Sequence, residues 1–124
     1  MILNITDLSS ESLQNQIYRQ IREMILSGDL ISGEMLPSIR SLARDQKVSV
    51  VTVQHGYEML EREGLINSRR GKGFFVSQLH EKKKKTLSEK KLTEKLQPLI
   101  QSAKAEGMTK TEIIKVVEKL IEEK

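Results

Sequence analysis

The stretch that decides the fold runs from Leu36 to Val76 and reads LPSIRSLARDQKVSVVTVQHGYEMLEREGLINSRRGKGFFV. Pro37 ends an extended lead-in, and Ser38 can accept a hydrogen bond from a free amide of the turn that follows, so a helix starts here. Ile39, Leu42 and Ala43 then fall at i, i+3 and i+4 and give that helix one apolar face. Arg40 stands in its first turn, where a cation opposes the helix dipole at a cost of roughly a few tenths of a kcal/mol. A phosphate docked at the same helix end would reverse that sign. A solvated surface arginine is the other reading, and Arg40 taken alone fits both.

The chain turns at Asp45 to Val48, and Ser49 caps a second helix of about four turns. Val53, Tyr57 and Leu60 share its inner face, while Val51, Gln54 and His55 point away from it with Thr52 on the flank. The outward set occupies the N-terminal half, the half a recognition helix inserts into a major groove. Gly56 lies near the inner face, where it costs about 1 kcal/mol against alanine; a close helix–helix approach would account for it. Gly64 ends the helix. Two short apolar runs, Leu65-Ile66 and Phe74 to Val76, then flank Asn67 to Gly73, a turn with two glycines and the three cations Arg69, Arg70 and Lys72. Three cations with no acid in the loop are not an ordinary polar turn. Two helices, a tight turn and a basic hairpin make a winged helix-turn-helix, mainly α with a small β-wing.

The spaced motifs LPS-x-R-x-LA, TVQ-x-x-Y-x-x-LE-x-EGLI and RRGKGFFV resemble the GntR family of bacterial transcription regulators, from about Ser12 to Val76. The resemblance implies a homodimer that binds an operator in double-stranded DNA. It also implies that Arg40, the start of the second helix (Ser49, Val50, Val51, Thr52, Gln54) and the wing tip Arg70-Gly71 face that DNA. Arg69, Lys72 and His55 join the candidate set on their own placement. Many relatives carry arginine where this chain has Val50, and often another at Gln54, a departure that puts the carry-over of their base contacts in doubt at those two positions.

Upstream, Met1 to Ile5 is apolar enough for a short strand. A helix from about Ser12 to Ser27 follows, with Leu13, Ile17, Ile21, Met24 and Ile25 on one face, Tyr18 at the core edge and Gly28 as its stop. It would pack behind the helix-turn-helix, with Asp29 to Glu34 as a connecting loop.

A chain of 124 residues has room for one compact domain and an appendage. Residues 1–77 form the expected DNA-binding domain and 78–124 a helical tail. The first part carries 9 Lys+Arg against 9 Asp+Glu, the second 12 Lys against 8 Glu, so the whole net charge of +4 sits in the tail. The argument for nucleic acid therefore rests on where Arg40, Arg69, Arg70 and Lys72 stand, not on total charge. In the tail, His80 to Lys91 is lysine-rich, with Lys82 to Lys85 in a row, which reads as a solvated linker or helix face or as a phosphate-contacting segment. Leu92, Leu96, Leu99, Ile100 and Ala103 recur at helical spacing, and Pro98 should bend that helix. After Gly107, Thr109 and Glu112 form a capping box for a last helix striped by Ile113, Ile114, Val117, Leu120 and Ile121. Two helices alone cannot bury these stripes. The simplest cover is the same hairpin of a second chain, with Leu92, Leu96, Leu99, Ile100, Ile113, Val117, Leu120 and Ile121 as the dimer contacts; folding back onto the first domain is the alternative. A short helical tail of this kind resembles the YtrA-like subfamily of GntR regulators.

Enzyme chemistry finds no support. There is no cysteine, the two histidines His55 and His80 have no ligand spacing, and no nucleophile–base pair is visible, so neither a metal nor another cofactor is expected. Glu61 and Glu63 read as a solvated helix exterior. With no signal-peptide pattern and no membrane-spanning run, a cytoplasmic protein is the expectation. The reading is a dimeric, palindrome-binding transcription regulator, most simply a repressor; a winged-helix module that binds proteins instead of DNA is the rival.

Overall fold

A computed structural model describes residues 1–123. The chain divides into two compact units, Met1–Glu81 and the residues from Lys82 onward.

In the first unit the order is α1 (Leu13–Ser27), α2 (Ile39–Gln46), α3 (Val50–Arg62), β1 (Ile66–Arg69) and β2 (Gly73–Val76). This is a winged helix. Each helix begins at a serine whose hydroxyl accepts an orphan amide of the first turn: Ser12 from Asn15, Ser38 from Ser41, Ser49 from Thr52. α1 stops at Gly28 in the left-handed region (φ 92°). α2 runs through Asp45 and stops at Lys47, which takes the same region (φ 57°) without being glycine. That strain, about 1 kcal/mol, shapes the tight turn into α3. Ile17, Ile21 and Ile25 of α1 and Val53, Tyr57 and Leu60 of α3 are fully buried where the two helices pack. A Cβ placed on Gly56 would lie 2.9 Å from Ile17 Cγ2 and 3.3 Å from the Gln14 carbonyl oxygen. The close approach expected at this glycine is present, and α1 is what approaches.

The wing pairs antiparallel, Ile66 with Val76 through Arg69 with Gly73. A third edge was not foreseen. The Gly33 N–H donates to the Val76 carbonyl, the Val76 N–H to Glu34 and the Leu36 N–H to Phe74, so the end of the α1–α2 connection extends the sheet. The Tyr57 hydroxyl donates to the Pro37 carbonyl (2.7 Å) and its ring meets Phe74 edge-on at 5.0 Å, joining α3 to both the α2 lead-in and the wing.

Two further sequence expectations change. Met1 to Ile5 is not a strand of the sheet; it is an irregular segment clamped to α1 by side chains. The Asn4 N–H donates to Gln20 Oε1 and Gln20 Nε2 donates to the Asn4 carbonyl, both at 2.8 Å. The Thr6 N–H donates to Gln16 Oε1 (2.9 Å), and Gln16 Nε2 returns a bond to the Thr6 carbonyl (2.7 Å). Gln16 is buried, and its second amide hydrogen goes to the Glu11 carbonyl, so the burial carries no unmet donor. Glu63 is not on a solvated exterior. Arg22 Nε reaches its two carboxylate oxygens at 3.1 and 3.2 Å, and the Tyr18 hydroxyl donates to it at 2.6 Å. Burial and the bond to Glu63 push the Tyr18 phenol up to about 12.

The second unit holds α4 (Glu81–Ala105) and α5 (Lys110–Glu122). The run Lys82 to Lys85 is helical, the first turn of α4. α4 continues through Pro98, which has no amide to donate back to Glu94. Thr109 and Glu112 make the full reciprocal capping box. Gly107 turns the chain between the two helices at φ 95°. α5 buries no residue, and α4 buries Leu87. Among the described residues, no helix is long and apolar enough to cross a membrane.

Candidate nucleic-acid interface

At about 100° per residue, the neighbours of α3 can be read around its circumference. Gly56 faces α1. Tyr57 faces the α2 lead-in and β2. Glu61 accepts a hydrogen bond from the Ser68 hydroxyl of β1 at 3.2 Å. The remaining arc carries Gln54, Glu58, Val51 and Arg62, all exposed, and Val50 is exposed at its edge in the first turn. Val50 and Val51 keep 45% and 55% of their surface open, unusual for β-branched residues that begin a helix in a packed domain.

The polar candidates on α3 are each engaged. Ser49, the N-cap, shares a 2.8 Å hydrogen bond between its hydroxyl and that of half-buried Thr52. His55 Nδ1 lies 3.0 Å from Gln14 Oε1 of α1. An amide oxygen can only accept, so in this contact Nδ1 is the donor. Gln54 Nε2 donates to Glu58 Oε1 at 3.2 Å, one turn on. Glu58 was not singled out from the sequence, although its i+4 spacing from Gln54 was visible there.

The cations stand on two other elements. Arg40 is exposed on the second residue of α2. Arg70, Gly71 and Lys72 form the exposed wing tip, closed by the Lys72 N–H donating to the Arg69 carbonyl (2.9 Å), with Gly71 at φ 74° as that turn requires. Arg69 is not in the tip. It is the last residue of β1, and its guanidinium lies 4.2 Å from the centroid of the Phe75 ring. An exposed stack of this kind contributes about 0.5–1 kcal/mol and holds the side chain against the sheet. Among the described residues, no group of three histidines, cysteines or acids is placed to hold a metal ion.

An exposed helix face at the second helix of a helix-turn-helix, flanked by a cation at the start of α2 and a basic wing tip, defines a winged-helix DNA-binding protein. The pattern of the bacterial regulatory proteins of the gntR family matches residues 13–76, and the chain belongs to that family. It is 38% identical over 110 residues to the HTH-type transcriptional repressor YtrA of Bacillus subtilis, an alignment spanning 86% of this chain and 82% of YtrA. In three dimensions it is similar to YtrA of Sulfolobus acidocaldarius, a GntR-family transcription factor, with a TM-score of 0.66, 30% identity and coverage of 85% and 99% of the two chains. A GntR-family regulator from Listeria monocytogenes gives a TM-score of 0.76 at 27% identity, covering 90% and 96%. The likeness to YtrA-like proteins thus includes the short helical tail. The chain is a DNA-binding transcriptional regulator, and these relatives are regulators rather than enzymes.

Proposed function

We propose that the protein is a homodimeric repressor that binds a palindromic operator. The observation that carries the dimer is the uncovered apolar surface of the tail. Leu92, Leu99, Leu120 and Ile121 keep between 61% and 76% of their surface open, and Leu96, Ile100, Ile113 and Val117 are half-buried. Exposed apolar residues in two stripes match a self-complementary two-fold interface. Two recognition helices related by that axis read two inverted half-sites. Repression is carried over from the name of the Bacillus subtilis relative.

On the operator, Arg40, Arg70 and Lys72 hold phosphates and set the register. Ser49 and Thr52 approach the backbone at the start of α3, with His55 beside them. Val50 and Val51 pack on thymine methyls, and Gln54 faces an adenine. Arg69 acts from the wing stack, beside Gly71, where the backbone comes close to the DNA. The DNA-binding domain is residues 1–77 and the dimerisation region residues 78–124, a boundary close to the division between the two compact units after Glu81.

Selection of bound DNA from a random pool by the full-length protein is the test. The expected product is an inverted repeat, with half-sites richer in A·T pairs under α3 than those of arginine-bearing relatives. Single half-sites, or a monomer in sedimentation at binding concentrations, would overturn the reading. Replacing Arg40, Arg70 or Lys72 by alanine should reduce the salt slope of binding by about 2 per dimer, at roughly 0.9 per contact.

A further inference from the structure

The hydrogen bond between Gln54 and Glu58 bears on sequence readout in a way that neither residue does alone. A glutamine side chain is ambivalent. Its oxygen accepts, its nitrogen donates twice, and rotating the amide by half a turn exchanges them. Directed at the major-groove edge of a purine, one orientation offers an acceptor and a donor, which fits adenine N6 and N7. The other can offer both N–H groups, which fits guanine O6 and N7. A free glutamine at the groove face therefore discriminates poorly between the two purines.

Glu58 removes the ambivalence. A carboxylate has only acceptors, so the group of Gln54 that meets Glu58 Oε1 must be the NH₂, as observed at 3.2 Å. One amide hydrogen is committed to Glu58, and the oxygen and the second hydrogen are left for the base. Both residues are exposed and share the arc of α3 that no other element covers, with Val51 beside them. We propose that Glu58 is a positioning residue that makes Gln54 read adenine and reject guanine. This inference rests on the reading that Gln54 faces the groove.

The experiment is random-pool selection with the full-length protein, comparing base preferences position by position for the wild type and three variants. Gln54→Ala should erase the purine preference at one position per half-site, which identifies the contacted base pair. At that position the wild type should prefer adenine over guanine by roughly 5- to 100-fold. Glu58→Gln, which can accept or donate, should bring that ratio to within about threefold while other positions keep their preferences. Glu58→Lys, which only donates, should draw the Gln54 oxygen toward itself, turn the NH₂ outward and favour guanine. An unchanged adenine preference in both Glu58 variants would overturn the inference and leave the Gln54 reading intact. A shift spread equally over all positions would also overturn it, because a carboxylate acting through bulk charge has no base preference. If Gln54→Ala changes no position, the groove reading falls and the inference with it.

Discussion

The first unit and the tail carry the same sequence signature, apolar residues at helical spacing behind polar caps, and arrive at opposite states. In α1 and α3 the stripes Ile17-Ile21-Ile25 and Val53-Tyr57-Leu60 lie fully inside. In α5 the stripe from Ile113 to Ile121 buries nothing completely. The first unit places Gln16 and Arg22 inside and satisfies them with Thr6, Glu11 and Glu63. In the tail, Thr86 bonds back to Lys82, Thr93 to Glu89, and Thr109 and Glu112 close their box. Periodicity specifies which face wants cover. It does not say whether the same chain supplies it.

Four changes would break or sharpen that contrast. Ending the chain after Val76 should leave a folded monomer whose operator affinity is lower by about 10²- to 10⁴-fold, because two half-sites no longer bind as one unit. Sedimentation of the shortened protein as a dimer would place the interface in the wrong half. Glu63→Ala should cost about 3 kcal/mol in urea unfolding, since it takes the carboxylate away from an Arg22 side chain that is only 10% exposed; a loss below 1 kcal/mol would mean that the α1–α3 link is incidental. Gly56→Ala should cost about 1–2 kcal/mol. Its methyl meets Ile17 and a backbone oxygen that cannot give way, and overpacking of this kind outweighs the helix propensity alanine gains. Thr109→Ala should be the smallest, roughly 1 kcal/mol or less and confined to α5, read as faster amide exchange there with α1 to α3 unchanged. The Glu112 carboxyl is held below its ordinary 4.5 by the Thr109 backbone N–H and then by its hydroxyl. The carboxylate's half of the box is therefore fully present above 4.5 and is lost as the pH falls through the lowered value, while the Thr109 hydroxyl keeps the Glu112 N–H.

What was legible in the sequence follows the range of the interaction. The serine caps, the Thr109–Glu112 box, the turn glycines and the outward face of α3 are settled within a few residues, and they stand where spacing put them. Glu63 misled because its partners, Tyr18 and Arg22, are 45 and 41 residues away. Arg69 was counted with the tip because counting cations in a loop cannot show that the strand runs three residues further, through Asn67 and Ser68, and turns the guanidinium onto Phe75. The third sheet edge at Gly33 to Leu36 has no alternating pattern to announce it, since Met35 is exposed and Gly33 has no side chain. His55 is exposed as its spacing predicts, and what the sequence hides is its bond to Gln14, which depends on how closely α1 approaches α3.

The clamp on the N-terminal segment has a consequence for what substitutions that end of the chain tolerates. Gln16 and Gln20 sit four residues apart on a helix, about 6 Å along its axis, and an extended chain would cover about 6.6 Å over the two residues from Asn4 to Thr6 that they hold. The two rulers agree, so successive glutamines imitate the edge of a neighbouring strand. What they grip is backbone alone. The side chain at position 4 is therefore free to drift, whereas the Thr6 hydroxyl also accepts from the Leu8 N–H at 3.1 Å; proline is barred at both positions because it has no amide to give. The glutamines are not free. Glutamate has no hydrogen to return to the carbonyl, and asparagine is one methylene short, so mutational tolerance should alternate between the gripped segment and the residues that grip it.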